Sequence, residues 1–275
     1  MFRLTGFADE VSHDLGEQIA LLTSLGITHI EFRSAWRTKV LDLTQEQLRE
    51  AKRMLDDAGL TVSSVGSDIG KIQVIDPFGD HLERARRGVE VANFLGAPNI
   101  RMFSFFIPDG HDPDGHRDEV MRRTRALVDL AEAGGVTMLH ENEKDIFGDI
   151  PRRVVDLVTT MNSPHYRGIL DPANYVQCGI RPVDEALPVV RAYTDYVHIK
   201  DAKASDSSVV PAGEGDGQVR ELLRSLAGDG FDGFVSIEPH LGQFDAFGGL
   251  CGPELWTTAY QALTGILREE GIEWR

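Results

Sequence analysis

The feature that most constrains this chain is an alternation of short apolar segments with longer amphipathic segments, sustained from one end to the other. Parallel strands that alternate with helices produce this pattern, because each strand needs a helical crossover to return the chain to the same sheet. The lengths and the enrichment in β-branched and apolar residues predict eight buried strands, at Arg3–Ala8, His29–Arg33, Thr61–Val65, Asn99–Phe103, Thr137–Glu141, Gly168–Asp171, Tyr196–Lys200 and Gly233–Glu238.

The segments between these strands carry recognisable helix signals. Thr44 followed by Gln47 predicts a capping box, and Gly59 predicts the end of the same helix. Pro151 suits the first turn of another helix, where its missing N–H is not needed. The predicted helices are Leu15–Leu25, the segment between Thr44 and Gly59, His81–Leu95, Arg117–Ala133, Arg152–Thr160, Val183–Ala192, Gln218–Ala227 and Glu254–Glu269.

Chain length selects among the α/β architectures. Eight units in 275 residues average about 34 residues each, and eight such units match a closed (β/α)8 TIM barrel, which usually has about 250 residues. A doubly wound open sheet is the alternative, but the turn after the first strand reads FADEVSHD and lacks glycines for a dinucleotide. We therefore expect an α/β protein with one (β/α)8 TIM barrel domain spanning residues 1–275.

Composition excludes several classes of protein. Lys and Arg total 28 and Asp and Glu total 44, so the formal net charge is 28 − 44 = −16, which disfavours nucleic-acid binding because phosphate contacts need clustered cations. No segment approaches the roughly 20 apolar residues of a membrane span, and the N-terminus has no apolar signal core. Cys178 and Cys251 are too few for a disulfide framework. We expect a cytoplasmic protein without nucleic-acid or membrane partners, and a homo-oligomer is compatible with this.

The last four predicted strands each end in a strong metal-ligand type. These residues are separated by 30, 27 and 40 positions, about one βα unit each, so a barrel brings them to one side of its mouth. A single carboxylate at a strand end is as often a helix cap or an ion-pair partner. Four ligands in successive units instead predict one divalent metal ion, held by Glu141, Asp171, His198 and Glu238.

Three carboxylates and one imidazole suit a hard or borderline divalent cation. Mn²⁺ is the expected ion, with Mg²⁺, Co²⁺ or Zn²⁺ as alternatives. A cation also relieves the repulsion among carboxylates held this close.

These motifs resemble the sugar isomerase/epimerase superfamily with the xylose isomerase-like TIM barrel, over essentially the whole chain. The resemblance is carried by HEN at Glu141, LDPAN at Asp171, VHIKD at His198, the loop PAGEGDG at Pro211–Gly217, and SIEPH at Glu238. It implies that these four residues bind the metal and that Glu141 and Glu238 also move protons. The stretch HENEKDIFGD resembles proteins named sugar phosphate isomerase/epimerase.

The chemistry expected of such a site starts from a small sugar, keto-sugar or keto-inositol. The metal polarises the carbonyl and stabilises the enediolate that forms when the α-proton leaves. Glu141 and Glu238, from the fifth and eighth strands, form an acid/base pair on opposite sides of the arc. Return of the proton to the other face gives epimerisation, and return to the neighbouring carbon gives aldose–ketose isomerisation.

Six further polar residues at strand ends are predicted substrate contacts. Lys200 follows His198 by two positions and so points the same way; the alternative for Lys200 is a salt bridge. Glu31 shares a strand face with Arg33, so it can either reach substrate or pair with Arg33. The predicted substrate-binding set is Lys200, Asp201, Asn174, His240, Glu31 and Arg101.

Departures from the ketose 3-epimerases leave the reaction open. Where those enzymes carry a histidine three residues after the sixth-strand aspartate, this chain has Asn174; where they carry a glutamate and an arginine, it has Phe147 and Ala204. A metal-dependent dehydratase or lyase acting on a keto-sugar, inosose or oxidised glycoside by β-elimination is the main alternative. An apurinic-site endonuclease is a third possibility, but this chain lacks a matching histidine set. A non-catalytic sugar-binding barrel is a fourth possibility.

Overall fold

The computed structural model describes residues 1–245 and 248–275. Within these ranges eight parallel strands form one sheet with the spatial order 2-3-4-5-6-7-8-1, and β1 lies beside β2, so that the two edges of the sheet meet. This confirms the predicted (β/α)8 TIM barrel. The strands are β1 (Arg3–Gly6), β2 (His29–Phe32), β3 (Thr61–Ile69), β4 (Asn99–Met102), β5 (Thr137–Glu141), β6 (Tyr166–Leu170), β7 (Thr194–Ile199) and β8 (Phe234–Ile237).

Helices surround the barrel and bury one face each against it. The predicted capping box is present, because Thr44 accepts from the Gln47 backbone N–H at 3.2 Å and Gln47 accepts from the Thr44 N–H at 3.0 Å. Among the described residues, no helix has both the length and the apolarity to cross a bilayer. The helices are α1 (Leu15–Ser24), α2 (Gln45–Asp57), α3 (Gly79–Leu95), α4 (Arg117–Gly134), α5 (Pro151–Met161), α6 (Pro172–Gln177), α7 (Leu187–Val190), α8 (Val219–Gly228) and α9 (Gly252–Glu269).

The connection between β6 and β7 differs from the single helix predicted over Val183–Ala192. The short helix α6 begins directly after β6, and a π-helical turn at Pro182–Ala186 precedes α7, which is followed by a 3₁₀ turn at Arg191–Tyr193. Pro188 explains the break, because it has no N–H to donate and is tolerated only in the first turn of a helix.

Strand β3 runs four residues further than predicted. It ends at Ile69, and its pairing with β4 shifts register between Val65 and Ile69. Ser67 and Asp68 therefore lie within the strand and beside the barrel mouth, rather than in the loop that follows.

Alternation along the strands stacks the barrel interior in layers. A buried apolar layer is formed by one residue from each of four neighbouring strands. Because successive side chains of a strand alternate in direction, the residues two positions further along three of these strands also face inward, one level nearer the mouth. The apolar layer is Leu139, Ile169, Tyr196 and Phe234, and the next level holds Glu141, Asp171 and His198.

A buried histidine holds the loop that leaves β3. His81 on α3 is 8% exposed, and its Nε2 accepts the Gly70 backbone N–H at 2.7 Å. Burial lowers the pKa of His81, so the neutral ring is the form that the fold selects.

We predict that His81 makes the stability of the protein depend on pH. Below the ordinary histidine pKa of about 6.5 the unfolded chain binds a proton that the folded chain does not, so the stabilisation by neutral His81 is present above that pH and lost as the pH falls. Urea denaturation should therefore show that His81→Gln costs more stability at pH 8 than at pH 5. An equal loss at both pH values would contradict this.

Candidate metal centre and pocket

The four predicted metal ligands converge at the barrel mouth. Glu141 is the last residue of β5, His198 lies near the end of β7, and Asp171 and Glu238 directly follow β6 and β8. One ligand atom from each residue lies within 4.8 Å of all the others, and all four side chains are buried. Four separate strand ends therefore present a single compact set of donors.

A carboxylate one layer below fixes the orientation of His198. Glu31 Oε2 lies 3.2 Å from His198 Nε2 and also accepts hydrogen bonds from Tyr196 Oη at 3.0 Å and Ser236 Oγ at 2.6 Å. With a metal bound, His198 would keep its proton on Nε2, facing Glu31, and turn the lone pair of Nδ1 toward Glu141 and Glu238. Histidine ligands of metals are commonly held in this way by a carboxylate on the other ring nitrogen.

Amide side chains support the candidate ligands Glu141 and Asp171. The Asn142 side chain exchanges two hydrogen bonds with the Asp171 backbone, at 2.9 and 3.0 Å. Asn174 donates from Nδ2 to Glu141 Oε1 at 3.2 Å, and its backbone N–H donates to Asp171 Oδ1 at 2.8 Å. Asp171 is thus both the N-cap of α6 and a member of the cluster, with its second oxygen directed to the cluster.

Three long cations balance the carboxylates from the pocket side. Lys200 Nζ lies 2.9 Å from Asp171 Oδ2 and 3.0 Å from Glu238 Oε2. Arg101 Nη1 lies 3.3 Å from Glu141 Oε2. Arg33 lies 3.8 Å from Glu238. Ion pairs that are this well buried need partners on every side to offset desolvation.

The balance between burial and neighbouring charges gives each of the three carboxyl groups a different pKa. Burial works to raise the pKa of Glu141, but the positive charges of His198 and Arg101 outweigh it and bring that pKa to about 2. Burial is likewise outweighed at Glu238, mainly by Lys200, and its pKa lies well below the usual range. At Asp171 burial prevails over Lys200 and raises the pKa to about 7. Three carboxylates in one space therefore resist full ionisation.

Whether a cation fits the cluster can be judged from two of its buried atoms. Asp171 Oδ2 and His198 Nδ1 have ion-pair contacts but no hydrogen-bond partner among the described residues. Buried polar atoms without such partners are rare in folded proteins. Both atoms point into the set of donors, and three carboxylates with one imidazole are a set suited to a divalent cation. The residues therefore fit a metal ion.

A cavity of about 700 Å³ opens onto this cluster. Glu141 and Glu238 form part of its wall, whereas Asp171 and His198 lie behind them. Of the six predicted substrate contacts, the structure brings four to the cavity wall: Arg101, Asn174, Lys200 and His240. Its size lies within the range of pockets that enclose whole small-molecule ligands.

The structure places the other two predicted contacts away from the cavity wall. Glu31 is fully buried in the layer below, where it holds His198. Asp201 is also fully buried, and its carboxylate accepts backbone N–H groups of the segment after β7. Neither residue is among those that line the cavity.

Sequence reasoning missed Tyr196, Ser236 and Asn142. Tyr196 and Ser236 each lie two residues before a ligand on the same strand, so the period of two could have indicated that they face the same interior. Asn142 directly follows Glu141, which gives no pattern of its own. Arg33, considered as a partner of Glu31, instead pairs with Asp9 at 2.8 Å and with Glu10 at 3.1 Å.

The motif-based resemblance is confirmed by comparison with known families. The model of the xylose isomerase-like TIM barrel family matches residues 19–262. The chain belongs to this family. A curated relative, the 2-epi-5-epi-valiolone 7-phosphate 2-epimerase of an Actinoplanes species, is 34% identical over 104 residues. That match covers 38% of this chain and 37% of the relative's length.

Solved structures share the fold at low identity. A D-tagatose 3-epimerase-like protein superposes with a TM-score of 0.80 at 14% identity, over 98% of each chain. The IOLI protein with a zinc atom gives 0.78 at 16% identity, over 98% of this chain and 99% of that one. The probable 3-DHS dehydratase AsbF of Bacillus anthracis gives 0.75 at 18% identity, over 96% and 99%. At these identities the likeness shows the barrel fold.

We predict that Glu31→Gln weakens metal binding without unfolding the protein. Glutamine keeps an oxygen for Tyr196 and Ser236 but removes the negative charge facing His198, and loss of such a partner typically costs about 10- to 100-fold in metal affinity. Titration with Mn²⁺, followed by the electron paramagnetic resonance signal of the free ion, measures this. Glu46→Gln, on the exposed face of α2, is the matched control, and equal affinities in the two variants would exclude the role of Glu31.

Proposed function

We propose that this chain is a divalent-metal-dependent enzyme that moves a proton next to the carbonyl of a small sugar, keto-sugar or keto-inositol, as an isomerase or epimerase. The observation that carries the proposal is the buried set of Glu141, Asp171, His198 and Glu238 at the floor of one cavity. The two glutamates are the members of that set on the cavity wall, where a substrate would meet them.

The same four residues would hold the metal. When bound, a divalent cation would supply Lewis-acid polarisation of a carbonyl and stabilise the negative charge that develops on its oxygen. We propose Mn²⁺ as the ion, with Mg²⁺, Co²⁺ and Zn²⁺ as alternatives, because oxygen donors dominate the set. The zinc atom in the similarly folded IOLI structure is in keeping with a metal in this type of barrel.

Glu141 and Glu238 are placed to act as the acid/base pair. They flank His198 Nδ1, at 3.2 and 3.5 Å, from opposite sides of the arc of strand ends. Both are held ionised by neighbouring cations, so either can accept a proton from a substrate carbon. A proton removed by one and returned by the other reaches the opposite face of the carbon, which inverts its configuration.

Lys200 and Arg101 would assist at the substrate oxygens. Lys200 Nζ reaches Glu238 and Arg101 Nη1 reaches Glu141, and both side chains line the cavity. A cationic donor beside each proton-transfer group can stabilise an enediolate oxygen. Asn174, which donates to Glu141, fixes the rotamer of that carboxylate, and His240 contributes to the wall near Glu238.

A second candidate, a metal-dependent dehydratase or lyase, follows from the same geometry. After α-proton removal, a substituent on the neighbouring carbon can leave instead of a proton returning. The observation that favours it is Asn174, which lies on the cavity wall where the ketose 3-epimerases resembled by this chain carry a histidine. The fold shared with the dehydratase AsbF is compatible with this reading.

Product analysis separates the two candidates. The metal-loaded protein is incubated in D₂O with a panel of keto-sugars and inososes. Deuterium at the carbon next to the carbonyl, with no loss of water, supports the isomerase or epimerase. Release of water or of an aglycone supports the lyase. If no compound in the panel gives either result, both candidates are refuted.

We predict that Glu141→Gln and Glu238→Gln each abolish turnover while the fold remains. An amide cannot accept the substrate proton, and the loss of one such group typically costs on the order of 10²- to 10⁴-fold. Deuterium exchange rates, with circular dichroism as the check of folding, measure the effect. Glu46→Gln is again the control, and normal exchange in either active-site variant would exclude its assigned role.

We also predict about one divalent ion per chain, since the four donors form one compact set. Elemental analysis by mass spectrometry after gel filtration measures the stoichiometry. Chelation should remove the activity, and added Mn²⁺ should restore it. Full activity in a protein shown to be metal-free would refute the site.

A further inference from the structure

The glycine-rich segment that follows β7 surrounds a buried carboxylate. Asp201 Oδ2 accepts the backbone N–H groups of Gly213 at 2.9 Å and Gly215 at 3.1 Å, and Oδ1 accepts those of Ala202 and Gly217, both at 2.8 Å. Four backbone donors therefore converge on the two oxygens of one side chain. Successive N–H groups arranged in this way form a nest for an anion, and here the anion is part of the chain.

The nest is specific for the Asp201 carboxylate in shape as well as charge. Asp201 is fully buried, and in the described part of the chain no cationic side chain forms an ion pair with it. A Cβ added at Gly215 or Gly217 would lie 2.4 or 2.6 Å from Asp201 Oδ1. Glycine is required at both positions because the backbone approaches the carboxylate too closely for any side chain.

This loop holds the outer wall of the cavity. Asp201 and Ala202 pair with Val209 and Val210 as a short antiparallel ladder, and the Asp216 N–H donates to the Ala202 carbonyl at 2.8 Å. The residues between the two short strands reach the cavity, whose wall includes Ser207, Ser208 and Val209. The backbone of Lys200, whose ammonium group joins Asp171 to Glu238, directly precedes Asp201.

We propose that Asp201 is a positioning residue that pre-forms the outer wall of the pocket, for the part of the substrate remote from the reacting carbon. We define this wall as the hairpin 201–210. Asp201 acts through the hairpin and touches no reacting atom. The role in substrate binding rests on the proposed function, whereas the anchoring of the hairpin does not.

The carboxylate charge is the part of Asp201 that the nest requires. Each oxygen takes two donors, so an asparagine would satisfy two N–H groups with its oxygen and turn its own NH₂ toward the other two. Those two backbone donors would then lose their acceptor. Hydrogen bonds to a charged group contribute more than neutral ones, so the isosteric change should loosen the loop.

Hydrogen–deuterium exchange tests the anchoring directly. In Asp201→Asn we expect the amides of Gly213, Gly215 and Gly217 to exchange on the order of 10- to 100-fold faster, from the loss of charge-assisted hydrogen bonds. Asp206→Asn makes the same chemical change in the same hairpin, at an exposed carboxylate that accepts the Ser208 N–H. Equal protection in the two variants would overturn the proposal.

Chemical rescue separates an anion requirement from a simple packing role. Asp201→Ala leaves the nest without its carboxylate, and added formate should restore slow exchange at the same amides. Formamide has the same shape without the charge and should not restore it. Rescue by both molecules, or by neither in a folded variant, would overturn the proposal. If Asp201→Ala does not fold, Gly215→Ala offers a second route, since it displaces the same carboxylate.

Two keto compounds of different length test the link to substrate binding. Dihydroxyacetone is half as long as D-fructose, so D-fructose would extend further from the metal ligands toward the hairpin. In Asp201→Asn we expect kcat/KM for solvent-deuterium exchange to fall about tenfold more for D-fructose than for dihydroxyacetone, mostly through KM, because remote contacts supply binding energy. Equal losses would overturn the substrate role.

Measuring the Mn²⁺ affinity, together with the exchange experiments, distinguishes a failure of this proposal from a failure of the proposed function. The four ligands come from the strand ends, so Asp201→Asn should keep its Mn²⁺ affinity. If no keto compound exchanges but the glycine amides respond as expected, the anchoring stands and the proposed function fails. If the wild-type protein exchanges both compounds and the amides do not respond, the proposed function stands and the role of Asp201 fails.

Discussion

The confinement of three carboxylates in the mouth of the barrel is the constraint on which the rest of this structure depends. Glu141, Asp171 and Glu238 share a space in which their ligand atoms lie within 4.8 Å of one another. Like charges this close cannot all stay ionised without compensation. Cations from β2, β4 and β7, together with His198, supply that compensation, so the polar interior is a single coupled network rather than a collection of separate pairs.

This network extends downward as well as toward the cavity. Glu31 carries a fourth negative charge into the barrel, and it is tolerated because Tyr196 and Ser236 donate to it while His198 lies 3.2 Å away. The apolar layer formed by Leu139, Ile169, Tyr196 and Phe234 closes the barrel beneath. Buried polar groups are costly unless every one is satisfied, which explains why hydroxyl groups occupy inward positions that aliphatic residues usually fill in such barrels.

The sequence predicted the clustering of the four candidate ligands because the rules that place them are local. A strand end, a period of two and the spacing of one βα unit suffice to bring Glu141, Asp171, His198 and Glu238 together. Glu31 and Asp201 could not be placed in the same way, because their partners lie on distant strands or in a loop. Three elements were also predicted wrongly. Strand β3 runs on to Ile69, and the helix predicted over Val183–Ala192 is broken. Helix α6 was missed, although Asp171–Pro172, a cap followed by a first-turn proline, signals its start.

Under the proposed function, the four-residue set leaves open which bond breaks after the proton is removed, because isomerisation, epimerisation and elimination share their first step. That choice depends on where the substrate's remaining substituents lie and whether an acid can reach the leaving group. Those groups would meet Lys71 and Glu143 on the cavity wall, which pair at 2.9 Å, and the hairpin residues Ser207 and Ser208. All four lie outside the barrel strands, in the segments that follow them. Under the proposed function the strand ends would fix the reaction's first step, and the loops would decide its product.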